Sequence, residues 1–119
     1  MPDDDQPVLV LISADPRASH RANEAMRIGL GILSGENDVT FVLTGPAVHL
    51  LDGDTDDLED GDDIAKFRAN IRTLGVPFHV ETGSRPDDPD WNTDGHAVVD
   101  VTRARIAELV TQSRRVLVF

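Results

Sequence analysis

A chain of 119 residues, 39 % of them hydrophobic, suits a single domain over residues 1–119. It has no cysteine, which excludes disulfides and any persulfide held on the chain itself, and with four Phe, one Trp and no Tyr its core must be mainly aliphatic. The net charge of −11 leaves no basic face for a phosphate backbone, so nucleic acid is not an expected partner.

Residues 1–6 (MPDDDQ) read as a disordered acidic lead without the apolar stretch of a signal peptide. Val8 to Ile12 (VLVLI) is a continuous apolar run rich in branched residues, the pattern of a strand buried on both faces of a parallel sheet. After the break at Ser13–Pro16, the spacing of Ala22, Ala25, Met26, Gly29, Ile32 and Leu33 predicts a helix from about Ser19 to Leu33. Asp15 or Ser19 is its expected cap, and Gly35 its expected left-handed stop. Gly29 and Gly31 lower helix propensity and point to a close approach, to the sheet or to a neighbouring subunit.

Val39 to Leu43 is the second predicted strand, ended by Thr44–Gly45–Pro46, and Ala47 to Leu51 is a short helical turn. An acidic loop over Asp52 to Asp63 leads to a helix over Ile64 to Leu74, with Ile64, Phe67, Ile71 and Leu74 on one face and Gly75 as its stop. Pro77 to Val80 starts a third strand, and a polar loop follows to Gly95 with Trp91 as its one large apolar group. Ala97 to Val101 is a short fourth strand, Thr102 to Gln112 a helix with Ile106, Leu109 and Val110 inward, and Val116 to Phe119 a last strand. The alternation implies a three-layer α/β/α fold with a mostly parallel sheet of about five strands, joined by right-handed crossovers. Ligands of such sheets bind beyond the carboxyl ends of the strands. Three segments are expected to meet there: Ser13–Asp15, Thr44–Pro46 and Glu81–Arg85.

The make-up of the charge adds an expectation about the medium. There are 17 Asp against 5 Glu, and 10 Arg against Lys66 alone. Self-repulsion of this kind destabilises a compact state in dilute salt. At molar salt the screening length falls to about 3 Å and the repulsion fades. A salt-adapted, halophilic source is expected; a GC-rich genome would explain the scarce lysine but not the excess of Asp over Glu. No apolar run is long enough to span a bilayer, so the expectation is a cytoplasmic protein without a membrane partner.

Several segments together carry a resemblance. VLVLIS leads into a helix with RANEAMRIGLGI, FVLTGPAVHLL joins a strand to an apolar turn, LGVPFHV closes a helix into a strand, and SRRVLVF ends the chain. In this order they resemble the DsrE/DsrF-like family, also called YchN-like, which includes TusD-type sulfur-relay subunits. The resemblance implies a small parallel α/β domain assembling as a trimer or hexamer, with a possible protein partner in sulfur metabolism. It also implies a persulfide-accepting cysteine just after the third strand. Here that stretch reads HVETGSRP, and Glu81 or Ser84 stands in the cysteine's place. A carboxylate or hydroxyl cannot hold a transferable sulfane sulfur, which needs a thiolate.

Other motifs yield less. Asp52, Asp54 and Asp56 match the first, third and fifth positions of a calcium loop, but Asp57 stands where that loop needs Gly and Asp63 where it needs Glu. Four histidines (His20, His49, His79, His96) lack metal-ligand spacing, so neither a metal nor a cofactor is expected. His20 and His96 read as surface residues, and His79 as buried in its strand. Ser84 lacks a nucleophile elbow, and Gly29, Gly31 and Gly35 lie in or after a helix and do not link a strand to one, so hydrolase and dinucleotide readings fail. Trp91 is expected to anchor its own loop, with a lid or a subunit contact as alternatives.

The expected ligand-binding residues are therefore Ser13, Thr44, Gly45, Glu81 and Ser84. The first functional reading is a non-catalytic homo-oligomer that binds a small molecule or partner and cannot carry sulfur itself. The alternatives are an enzyme using Glu81 with His49 at the crevice, or an accessory subunit of a sulfur-relay system.

Overall fold

The computed structural model describes residues 6–119, so the expected acidic lead lies outside the described residues except for Gln6. Five parallel strands form one sheet: β1 (Val8–Ile12), β2 (Val39–Leu43), β3 (Phe78–Glu81), β4 (Val98–Val101) and β5 (Arg115–Val118). Their order is β4-β3-β2-β1-β5. The register sets Ile12 beside Leu43, Leu43 beside Val80 and Glu81 beside Val101, so the strands end nearly level. The chain steps outward from β1 to β4, then returns to lay β5 on the other side of β1. The reversal between β1 and β5 is the topological switch point of the sheet.

Helices α1 (Arg21–Ser34) and α2 (Gly61–Thr73) cover one face; α3 (Arg103–Gln112) packs on the other. The two-residue alternation of the strands explains this division. Val10, Ile12, Phe41, Leu43, Phe78 and Val80 share a core with Met26, Ile64 and Ile71 from α1 and α2. Leu9, Val42 and Val101 meet Ile106 of α3. Phe41 and Phe78 are fully buried with ring centroids 5.6 Å apart. Burying a side chain of that kind contributes about 1.5–3 kcal/mol.

Gly29 is the close approach to the sheet that its sequence suggests. A Cβ there would lie 2.4 Å from Cε1 of Phe41, whereas one on Gly31 would meet open space. Two cap expectations are corrected. Gly35 ends α1 at a φ of −86°, and the left-handed residue is Glu36 at +65°. The N-cap position falls on His20 without a side-chain cap, because Asp15 and Ser19 bond only two residues ahead, to the N–H groups of Arg17 and Arg21. Gly75, at a φ of +75°, does follow α2 in the left-handed region as expected. On α3, Ile106 is buried and Leu109 half-buried, but Val110 is exposed, contrary to its expected inward position. The expected helical turn after β2 is a 3-10 segment, Gly45–Leu51, whose Ala47, Val48, Leu50 and Leu51 are buried.

Candidate functional site

The ends of β1, β2 and β3 are adjacent and point the same way, so their following loops form one rim. At the β2–β1 junction the Thr44 N–H donates to the Ile12 carbonyl at 2.9 Å, and the Thr44 hydroxyl donates to the same oxygen at 3.4 Å. At the β2–β3 junction the Gly45 N–H donates to Ser84 Oγ at 3.1 Å. At the switch point the Ser13 and Ala14 N–H groups and the Ser13 hydroxyl all donate to the Phe119 carbonyl. Ser13, Thr44, Gly45 and Ser84 thus form a continuous line across the rim.

Glu81 does not join His49. Its position, odd with respect to Phe78 and Val80, sends its side chain to the α3 face, where Arg103 Nε lies 3.7 Å away. Arg103 is almost fully exposed, so this pair contributes little. β3 lies two strand spacings, about 10 Å, from β1, and farther from the switch point. His49 instead sits on the 3-10 segment, which packs with the α1–α2 core on the opposite face.

The partner of His49 is Asp52, three residues on. His49 Nδ1 lies 3.0 and 3.1 Å from the two Asp52 carboxylate oxygens, and both side chains are about four-fifths buried, at 20 % and 22 % exposure. Burial pushes the Asp52 carboxyl above its ordinary value, against the opposing pull of the His49 hydrogen bond. Across the rim, the Arg17 guanidinium grips Asp15 with two hydrogen bonds of 3.0 Å and holds its carboxyl below the ordinary range; the charge of His49 adds to that effect.

The 3-10 segment is fixed from outside. Arg68 of α2, only 3 % exposed, donates to the Leu50 carbonyl at 3.0 Å, the Asp52 carbonyl at 2.5 Å and Asp94 Oδ2 at 2.9 Å. Trp91 donates from Nε1 to the Val48 carbonyl at 2.8 Å, and the Asn92 N–H donates to the Leu51 carbonyl. Trp91 therefore anchors its own loop, with Arg85 over its ring at 5.4 Å. The segment needs these donors because a short helix leaves its last carbonyls unpaired.

His96 is buried, which corrects the surface position expected from sequence. Asn92 clasps the His96 backbone with two hydrogen bonds, and the ring stands edge-on to Phe78 at 5.9 Å. Both ring nitrogens lack hydrogen-bond partners. Burial pushes its pKa down, and the charge of Arg68 adds to that. His79 is half-buried on the α3 side of β3, with its pKa also lowered by burial. His20 is exposed as expected, 2.6 Å from Asp60.

In the acidic loop Asp52 serves His49, while Asp54 accepts the Asp56 N–H. Among the described residues no group of three or more His, Cys, Asp or Glu is placed to hold a metal ion. A depression of about 480 Å³ lies at the start of α2, between Thr55, Asp56 and Asp60 to Asp63. It adjoins the β1–α1 loop, where the Glu59 N–H donates to the Pro16 carbonyl at 2.7 Å.

The chain is similar to a solved structure described as the ychN protein from E. coli, with a TM-score of 0.73 over 96 % of this chain and 99 % of that one. The fold is of the YchN type. At 18 % sequence identity, the likeness to YchN carries the fold alone. No family model matches the chain, and no curated protein matches it.

In sequence Asp52 reads only as part of the calcium-like loop and Arg68 carries no site signal, although both leave a trace there. Asp52 follows His49 at helical spacing, and Arg68 lies one turn from Ile64 on the apolar face of its helix.

Proposed function

We propose that the chain is a homo-oligomeric binding or accessory protein of the DsrE-like type, taking a small molecule or partner at the strand-end rim and carrying no sulfur itself. The observation that carries this reading is what occupies the place of the family's cysteine. Ser84 receives the Gly45 N–H, Glu81 faces Arg103, and neither side chain can hold sulfane sulfur. Any sulfur chemistry here would need a partner's thiol.

Assembly as a trimer or hexamer draws support from the α3 face. Parallel sheets are generally covered on both faces, yet here a single helix of ten residues covers one of them. Val99 at 43 % and Val118 at 61 % exposure remain open beside it.

The test is to incubate the purified protein with a persulfide donor, measure intact mass, and then extract retained small molecules from the wild type and from Thr44→Val. The expected result is no sulfur adduct, together with a retained compound that Thr44→Val weakens. A covalent sulfur adduct on this chain would overturn the reading.

A further inference from the structure

We propose that His49 and Asp52 form a proton-transfer site, with His49 Nε2 as a general base toward water or the hydroxyl or thiol of a small neutral or cationic molecule. This goes beyond the binding role, since a surface that only binds has no need of an oriented base.

Three observations carry it. The first is orientation. An ionised Asp52 can only accept, so in the neutral imidazole His49 Nδ1 carries the hydrogen and the lone pair falls on Nε2. Among the described residues Nε2 makes no hydrogen bond, and the His49 side chain keeps 20 % of its surface exposed. The second is rigidity. Arg68 and Trp91 both donate to backbone carbonyls of residues 48–52, and Asn92 adds a third contact. A base held by an orienting carboxylate on a fixed segment is pre-organised for proton transfer. The third is charge. The charge of His49 acts on Asp15, and those of Asp88 and Arg17 act on Asp52. Arg17 is held by Asp15, so the surroundings are net acidic and favour neutral or cationic substrates over anions.

Water serves as the nucleophile. Nε2 takes a proton from water as the water oxygen bonds to an ester carbonyl. The carbon–oxygen bond to the leaving alcohol then breaks, the alkoxide leaves with the electron pair, and the imidazolium returns its proton. Asp52 stabilises the transient imidazolium.

The test uses the full chain in molar KCl with 4-nitrophenyl acetate as the neutral probe and its hemisuccinate analogue as the anionic one. His49→Gln should lose at least about tenfold of the protein-dependent rate and Asp52→Asn several-fold, with His20→Gln unchanged. The anionic ester should be the slower of the two. Diethyl pyrocarbonate on the wild type keeps the test open if a variant fails to fold: loss of rate should follow acylation of His49, read by peptide mass. Equal rates in His49→Gln and wild type, or loss of rate that follows acylation of His20, would overturn the proposal. The binding role would survive that outcome, because it is read by the retained compound and not by the ester.

Discussion

His96 shows how one side chain can set an acid limit. Its pKa is lowered in the folded chain by burial and by Arg68 and Arg72, with Asp94 opposing. The unfolded chain therefore binds the proton more readily. Stability from this group is complete above the ordinary histidine value of about 6.5 and declines as pH falls from there toward the lowered folded value. His79 acts in the same direction. His20 acts in the opposite one, since Asp60 raises its pKa, but it is largely exposed to solvent. Neither ring nitrogen of His96 makes a hydrogen bond among the described residues, and its contact to Asp94 spans 4.0 Å, so an apolar replacement leaves no hydrogen-bonding group newly unpaired. His96→Leu should therefore flatten the loss of melting temperature between pH 7 and pH 5. An unchanged acid limb would contradict this account.

Arg68 belongs to the same scale. Its removal leaves the Leu50 and Asp52 carbonyls without their donor, a cost of about 1–3 kcal/mol where such groups stay buried. Arg68→Met should lower the unfolding free energy by that order, read from the midpoint and slope of urea curves. If the 3-10 segment depends on this donor, the variant should also expose Trp91, visible as a red shift of the chain's one tryptophan.

At the scale of elements, α1 separates two glycines that look alike in sequence. Alanine at Gly31 gains helix propensity in open space and should stabilise by up to about 1 kcal/mol. Alanine at Gly29 forces a methyl into the Phe41 ring and should destabilise by about 1–3 kcal/mol in spite of the same propensity gain. Paired denaturation curves measure both. Two variants of equal stability would mean that α1 does not seat on β2 as described.

For the whole molecule, charge and coverage matter. Twenty-two acidic side chains against eleven basic ones repel through water and much less through molar salt. The melting temperature should rise from dilute buffer to molar KCl and level off there; equal stability throughout would count against salt adaptation. Val99→Asp, which charges the open side of the α3 face, should shift the sedimentation of the proposed assembly toward the monomer. Among the described residues no helix is long and apolar enough to cross a membrane.

The strands and helices were legible from the chain because local pattern decides them. VLVLI and VTFVL are strands over the same residues in sequence and structure, and the other elements differ at their ends by three residues or fewer. The rim was legible too, since alternating strands and helices place parallel strand ends on one side. Tertiary packing alone decided which candidates share a face. Strand alternation turned Glu81 toward α3, while the 3-10 segment folded His49 onto the opposite side, to meet Asp52 and not the glutamate. It likewise drew Arg68 and His96 inward, because a polar residue on an apolar stripe or in a clasped loop is buried by neighbours far away in sequence. Periodicity records the face of an element; only the packed chain determines what that face meets.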